Sequence, residues 1–299
     1  MSRGKHNSHR EKKRQKEVVV LGLDVNVLAE MPPWDWPRDA GTIIAKTLTE
    51  KNASLEDRLV AADLAGQIVV IDEAMCDLLL RMTANLEEPE QLRGLAVISL
   101  GPVLEQMDTS EEDDPYDDPP ITFEKFRHIR ATLEKFYRDE AMPKEVRRRI
   151  LEAAVRSPDD WQREAIREAW ATGDTEWMLT AVFGMRYVKG FDVEILQALK
   201  SPDEDTQYEA ILGAGNWGLS GASDHVLAIV RNPIAPKELL LAAIEALSQV
   251  APKEAEEILY ELRDSDDPEI SEAAEEAMIF IHKEDFDEDE DDDEDNPWF

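Results

Sequence analysis

Most of the residue types that build catalytic centres are scarce in this chain. Its 299 residues include one cysteine, five histidines and thirteen glycines. A single thiol excludes an internal disulfide and a cysteine metal cluster. Cys76 stands in the apolar stretch Met75-Cys76-Asp77-Leu78 and reads as a small core residue. No stretch reaches the ~18 apolar residues of a membrane span. The early run "EVVVLGLDVNVLAE" is broken by Asp24 and Asn26, and no small-residue cleavage site follows it, which argues against a secretory leader. A Gly-rich phosphate loop, a Gly-x-Ser-x-Gly elbow and zinc-ligand spacing are all missing. His128 in "FRHIR" and His225 in "SDHVL" read as helix-surface residues, while His6 and His9 belong to a polar tail. The expectation is a soluble, cytoplasmic protein without catalytic residues, metal or cofactor.

What the chain does have is negative charge. The net value is −34. Residues 1–17 are basic at +5, residues 283–299 sum to −10, and the body between them carries −29. Such a body repels phosphate backbones and anionic membranes, which excludes duplex-DNA binding through the body and favours basic protein partners. Hydrophobic content of 42% still supplies a sizeable core.

From Pro37 to His282 the chain reads as helix after helix with short Pro, Asp, Ser and Gly joints. Four segments share a template: "AVFGMRYV" from Ala181, "AILGAGNW" from Ala210, "AIEALSQV" from Ala243 and "AEEAMIFI" from Ala274. Three residues after each alanine comes Gly184, Gly213, Ala246 or Ala277; seven after comes Val188, Trp217, Val250 or Ile281. The starts are separated by 29, 33 and 31 residues, a solenoid period, and the offsets share one helical face. Small residues there let a neighbouring helix approach closely. Shorter helices at 191–201, 223–232 and 252–264 alternate with them. Weaker copies upstream pair "SLEDRLVAADLAGQIV" with "DEAMCDLLLRMTAN", "EQLRGLAVISLGPVLEQM" with "FEKFRHIRATLEKFYRDE", and "PKEVRRRILEAAVRS" with "WQREAIREAWATG". "GTIIAKTLTE" leads as a half-repeat.

This pattern resembles a HEAT-repeat solenoid, and its short alanine-rich form is similar to the HEAT-like repeats of the phycobilin-lyase group. The resemblance implies an all-α, right-handed α-solenoid of about six helical hairpins with a concave inner surface. The array spans 37–282, between a disordered basic tail (1–17), a cap segment (18–36) and a disordered acidic tail (283–299). The fold alone does not name a function. The HEAT-repeat metal hydroxylases bind iron through His-Glu pairs, and no His-Glu pair occurs here. Trp161, Trp170 and Trp177 near Arg147, Arg148 and Arg149 invite comparison with HEAT-like DNA glycosylases, but core filling accounts for the tryptophans and the charge opposes DNA. No catalytic residue of a bilin lyase can be matched.

Two departures from the rhythm mark candidate binding elements. The insert at 108–121 holds seven acidic residues and three prolines around Tyr116, within what reads as one hairpin. Neither helix nor strand fits it, and the spacing and glycine of a calcium loop are absent. We expect an acidic arm in which Asp113, Asp114, Tyr116, Asp117 and Asp118 contact a basic partner. The strip Lys144, Arg147, Arg148 and Arg156 is expected to pair with Glu145, Glu152 and that insert. At the N-terminal end Trp34 and Trp36 lie between prolines and are expected to cover the first helices, an exposed aromatic clamp for a ligand being the alternative. The basic tail before them could touch RNA or the acidic tail.

The second candidate is "DFDEDEDDDEDNPWF". Asp291, Asp292 and Asp293 lie in an acidic run that ends in Trp298 and Phe299. It resembles the acidic C-terminal tip of bacterial single-stranded DNA-binding proteins, which implies docking of the rings in a basic-rimmed apolar pocket. The overall expectation is a non-enzymatic scaffold, adaptor or chaperone that holds a basic protein on an acidic concave face. The alternative is a bilin-lyase-like enzyme or a regulatory subunit of a larger enzyme complex.

Overall fold

The computed structural model describes residues 23–112 and 119–290, and every regular element in them is helical. The chain enters through α1 (Val25–Ala29), whose first turn is held by the Asp24 carboxylate accepting from the backbone N–H groups of Asn26 and Val27. Two helical pairs follow, α2 (Ala40–Thr49) with α3 (Leu55–Leu64) and α4 (Glu73–Ala84) with α5 (Glu90–Ile98). α6 (Gly101–Thr109) is an extra helix that starts where Gly101-Pro102 interrupts the run from α5. Five further pairs are α7 (Phe123–Arg138) with α8 (Lys144–Ala154), α9 (Asp160–Ala171) with α10 (Thr175–Met185), α11 (Asp192–Ala198) with α12 (Glu204–Asn216), α13 (Ser223–Val230) with α14 (Lys237–Val250), and α15 (Pro252–Arg263) with α16 (Pro268–Glu290).

The second helix of each pair packs on the second helix of the next. They form an inner layer running α3, α5, α8, α10, α12, α14, α16, with the first helices as an outer layer. Seven pairs are thus present among the described residues, in keeping with the expected count of about six. Each pair buries its apolar stripe against its neighbours only, the principle of a solenoid.

Capping chemistry fixes where the helices begin. Side chains of Ser54, Asp72, Thr122, Asp174 and Asp203 accept from the backbone N–H three residues on, while Pro89, Pro143 and Pro236 stand at the equivalent position of other helices. A second device fixes which helices pair. Four residues into α3, α5 and α8 stands an arginine whose Nε donates to the last turn of the outer helix before it: Arg58 to Leu48 O (3.0 Å), Arg93 to Thr83 O (2.9 Å) and Arg147 to Tyr137 O (3.0 Å). Ser271 does the same for Arg263 O. Each bond satisfies a carbonyl that the helix end leaves open.

These bonds correct the upstream phase of the sequence reading. α3 belongs with α2, not α4; α5 with α4, not α7; and α8 with α7, not α9. The insert consequently lies between two pairs rather than inside one. Asp108 and Thr109 are still in α6, so the loop is shorter than 108–121, and Ile121 is already buried beside α7.

Small residues close the stack as their spacing predicts. Ala181, Ala210, Ala243 and Ala274 are fully buried, and Ala246 and Ala277 nearly so. A Cβ added to Gly184 would meet Ile166 at 3.0 Å; one added to Gly213 would find ordinary contact at 3.5 Å, and the tight approach on α12 falls instead at Gly215, where a Cβ would meet Ala246 Cβ at 2.9 Å. At the N-terminal end Val25 and Leu28 of α1 are buried on α2 and α3. Trp36 is half-buried, its Nε1 donating to Leu28 O and Met31 O. Trp34 behaves differently from the expected cover: it is 80% exposed. At the other end α16 continues to Glu290, past the boundary expected after His282.

Candidate functional site

The inner helices share a feature that positions charge. Two residues after each cap position the chain carries Glu145, Glu176, Asp205, Glu238 and Glu269 on α8, α10, α12, α14 and α16. An acid in the first turn is favoured by the helix dipole, and the stacking sets these acids side by side. A turn or two further on come Glu152, Glu209, Glu245, Glu272 and Glu276.

All of these except Glu145 and Glu176 line a groove of about 1060 Å³ that crosses the inner layer from the end of α5 to α16. Its carboxylates are Glu152, Asp205, Glu209, Glu238, Glu245, Glu269, Glu272 and Glu276, against two cations, Arg149 and Arg156. Apolar floor is supplied by Leu179, Phe183 and Leu241, with Tyr208 half-buried beside them.

Both cations are already engaged. Arg149 Nη1 donates to Glu152 (2.7 Å) and its Nε to Glu145 (2.9 Å), while Arg156 Nη1 donates to Glu105 of α6 (2.6 Å). Arg156 and Arg186 both lie over the rings of Phe183 and Tyr187, at 5.5–5.7 Å from the centroids. Arg186 in turn holds Glu209 at 2.7 Å. Burial raises the Glu209 carboxyl above its ordinary range, with Arg186 opposing that rise.

Beneath the groove wall lies a buried clasp between α8 and α10. Arg148 Nε donates to Thr180 Oγ1 (3.0 Å), and Thr180 donates to Glu152 Oε1 (2.6 Å). Arg148 Nη1 reaches Glu145 at 2.9 Å. Arg148 and Glu152 are 4% and 5% exposed, so this is a desolvated charge network. On the rim, Lys144 bridges Asp174 and Glu176 (2.7 and 2.6 Å), and its hydrogen bonds hold both carboxyls below their ordinary range. Lys237 repeats the arrangement with Asp267 and Glu269 between α14 and α16.

The basic strip read from sequence is therefore consumed in fastening the stack. Arg147 lies over Tyr137 and Trp177, and Tyr137 packs on Trp161 with centroids 5.1 Å apart. Trp161, Trp170 and Trp177 are half-buried against the core. Among the described residues the insert is met by Arg127, which pairs with Glu112 at 3.0 Å. Asp113, Asp114, Tyr116, Asp117 and Asp118 lie outside the described residues, as do Asp291, Asp292, Asp293, Trp298 and Phe299. The chain leaves α6 for the arm beside Ser157, whose hydroxyl donates to Asp108.

His128 is exposed on α7, and burial lowers the half-buried His225 on α13. Cys76 is buried, and burial pushes its thiol up to about 12. Among the described residues no group of three or more His, Cys, Asp or Glu side chains is placed to hold a metal ion, and no helix is long and apolar enough to cross a membrane.

Comparison with known proteins places the fold. Residues 193–279 match the family model of HEAT repeats. Among solved structures, the chain is similar to the YibA protein of Escherichia coli (16% identity, 85% of each chain covered, TM-score 0.43). It is also similar to human deoxyhypusine hydroxylase (16% identity, 87% of this chain and 96% of that one, TM-score 0.38) and to a designed armadillo repeat protein (13% identity, 80% and 98%, TM-score 0.30). No curated protein matches the sequence. The chain folds as a HEAT-repeat helical solenoid.

Proposed function

We propose that this protein is a non-catalytic scaffold, adaptor or chaperone that holds a basic segment of a partner protein along the inner-layer groove. A HEAT-repeat solenoid is a scaffold suited to binding protein. The observation that carries the reading is the groove lining: of its eight carboxylates, Asp205, Glu238, Glu245, Glu272 and Glu276 have no ion-pair partner among the described residues, and both lining guanidiniums are already paired. A lysine- or arginine-rich segment supplies the missing cations, while Leu179, Phe183 and Leu241 take the aliphatic stems of its side chains. The Asp113, Asp114, Asp117 and Asp118 arm adds charge from the edge of α6, with Tyr116 as its apolar contact. Asp291, Asp292 and Asp293 add long-range attraction, which speeds encounter more than it tightens the complex.

Titration of a labelled Lys/Arg-rich peptide tests this reading. The chain should bind it saturably, affinity should fall steeply with added salt, and E245K/E272K should weaken it about tenfold or more, roughly 1.4 kcal/mol. Binding that ignores salt and the double charge reversal would sink the proposal. An absorbance shift on adding a tetrapyrrole would favour the lyase-like alternative instead.

A further inference from the structure

The outer layer carries a second groove of opposite sign. It lies between α2 and α4, holds about 1050 Å³ and is closed on one side by the Pro33–Arg38 turn. Met75 and Ile71 form part of its floor, and Trp34 and Val69 stand in its wall at 80% and 57% exposure, so the lining offers water a large apolar face. Its cations are Arg38, Lys46 and Arg81, all exposed. Asp72 is the one acid in the lining, and its carboxylate is committed to the start of α4, accepting from Met75 N–H at 2.7 Å. Asp35 and Asp39 flank the turn outside the lining. The ion pairs among the described residues involve none of the three cations. In a body of charge −29, a cationic apolar groove selects an occupant that is acidic and aromatic at once.

The chain contains such a segment. Residues 291–299, "DDDEDNPWF", place five carboxylates two residues before Trp298 and Phe299. We propose that this segment of a second copy docks in the α2–α4 groove, its rings on the apolar floor beside Trp34 and its carboxylates on Arg38, Lys46 and Arg81. Reach assigns the segment to a second copy. It follows α16 in the seventh pair, whereas the groove belongs to the first two pairs. Helices pack roughly 8–10 Å apart, so five steps along the stack span about 45 Å, while nine residues extend at most about 32 Å. The contact joins unlike surfaces, tail to groove, and so links copies head to tail. The proposal does not rest on the inner groove having any particular guest.

The test uses the full chain with W298A/F299A as receptor and the labelled peptide DDDEDNPWF as ligand. Anisotropy should show saturable binding, weakened at least tenfold by adding K46E/R81E and equally by replacing both aromatic residues of the peptide with alanine. E245K/E272K on the other face should leave it unchanged. Both Lys46 and Arg81 are exposed, and a circular dichroism melt confirms that the variant folds. In sedimentation velocity the unmodified chain should self-associate as concentration rises, and W298A/F299A or K46E/R81E should each abolish that. No saturable peptide binding, or binding indifferent to K46E/R81E, overturns the site. Peptide binding with a chain that stays monomeric at every concentration overturns the second copy as the source of the segment.

Discussion

Between α8 and α10 the inner layer is fastened by charge: Arg148, Thr180 and Glu152 form a buried chain of hydrogen bonds, and Lys144 ties Asp174 and Glu176 at the rim. Between α12 and α14 it is fastened by the near absence of side chain, Gly215 lying directly against Ala246. The consequence for the surface is direct. Where ions close the seam, the cations that do so neutralise the acids beside them, as Lys144 does for Asp174 and Glu176. Where methyl groups close it, the acids remain available. Among the described residues no cation lies within ion-pair reach of Glu238, Glu245, Glu272 or Glu276. The groove acids left unpaired among the described residues thus lie on α12, α14 and α16, while that of α8 is paired.

The comparison breaks most severely at the clasp. The double substitution R148A/R149A leaves Glu152 buried without a counter-charge and should cost about 3–5 kcal/mol in urea unfolding, whereas R148M/R149A should recover part of the loss by filling the same space. G215V forces the α12 and α14 backbones apart and should cost about 1–3 kcal/mol. Its effect should be concentrated in hydrogen exchange of α11–α14, with α8 and α9 little changed. Next in size is the tenfold loss of basic-peptide affinity with E245K/E272K. An R149E substitution should move affinity less, because that guanidinium is already balanced by Glu145 and Glu152.

The smallest effect is in pH. Lys144 and Lys237 hold Asp174 and Asp267 below the ordinary carboxylate range, so the folded state gives up those protons more readily than the unfolded chain. Their contribution is present above that ordinary range and disappears as pH falls through the lowered values. The urea midpoint of K144M/K237M should therefore fall less between pH 5 and pH 3 than that of the unmodified chain.

The fold was largely legible because its signal is periodic. Ala181, Ala210, Ala243 and Ala274 recur at solenoid spacing, and each is fully buried in the inner layer. Upstream the alanines thin out, and the correct phase is written in Arg58, Arg93 and Arg147, four residues past each cap, a signal that apolar periodicity does not register. The acidic row at Glu145, Glu176, Asp205, Glu238 and Glu269 was equally present, but it emerges only when the repeats are aligned on their caps rather than on their alanines. Sequence reading went instead to the densest acidic runs, around Asp113–Asp118 and Asp291–Asp293, because local density is visible without a fold. The outer groove had no linear trace at all. Arg38, Lys46 and Arg81 belong to separate elements and meet through packing alone.

The seam at Gly215 and Ala246 also has a mechanical meaning. Backbone lies on backbone there, and α12 and α14 are the most closely packed neighbours of the inner layer. With no long side chain between them that could change rotamer, they should move as one block when a bulky guest enters the groove.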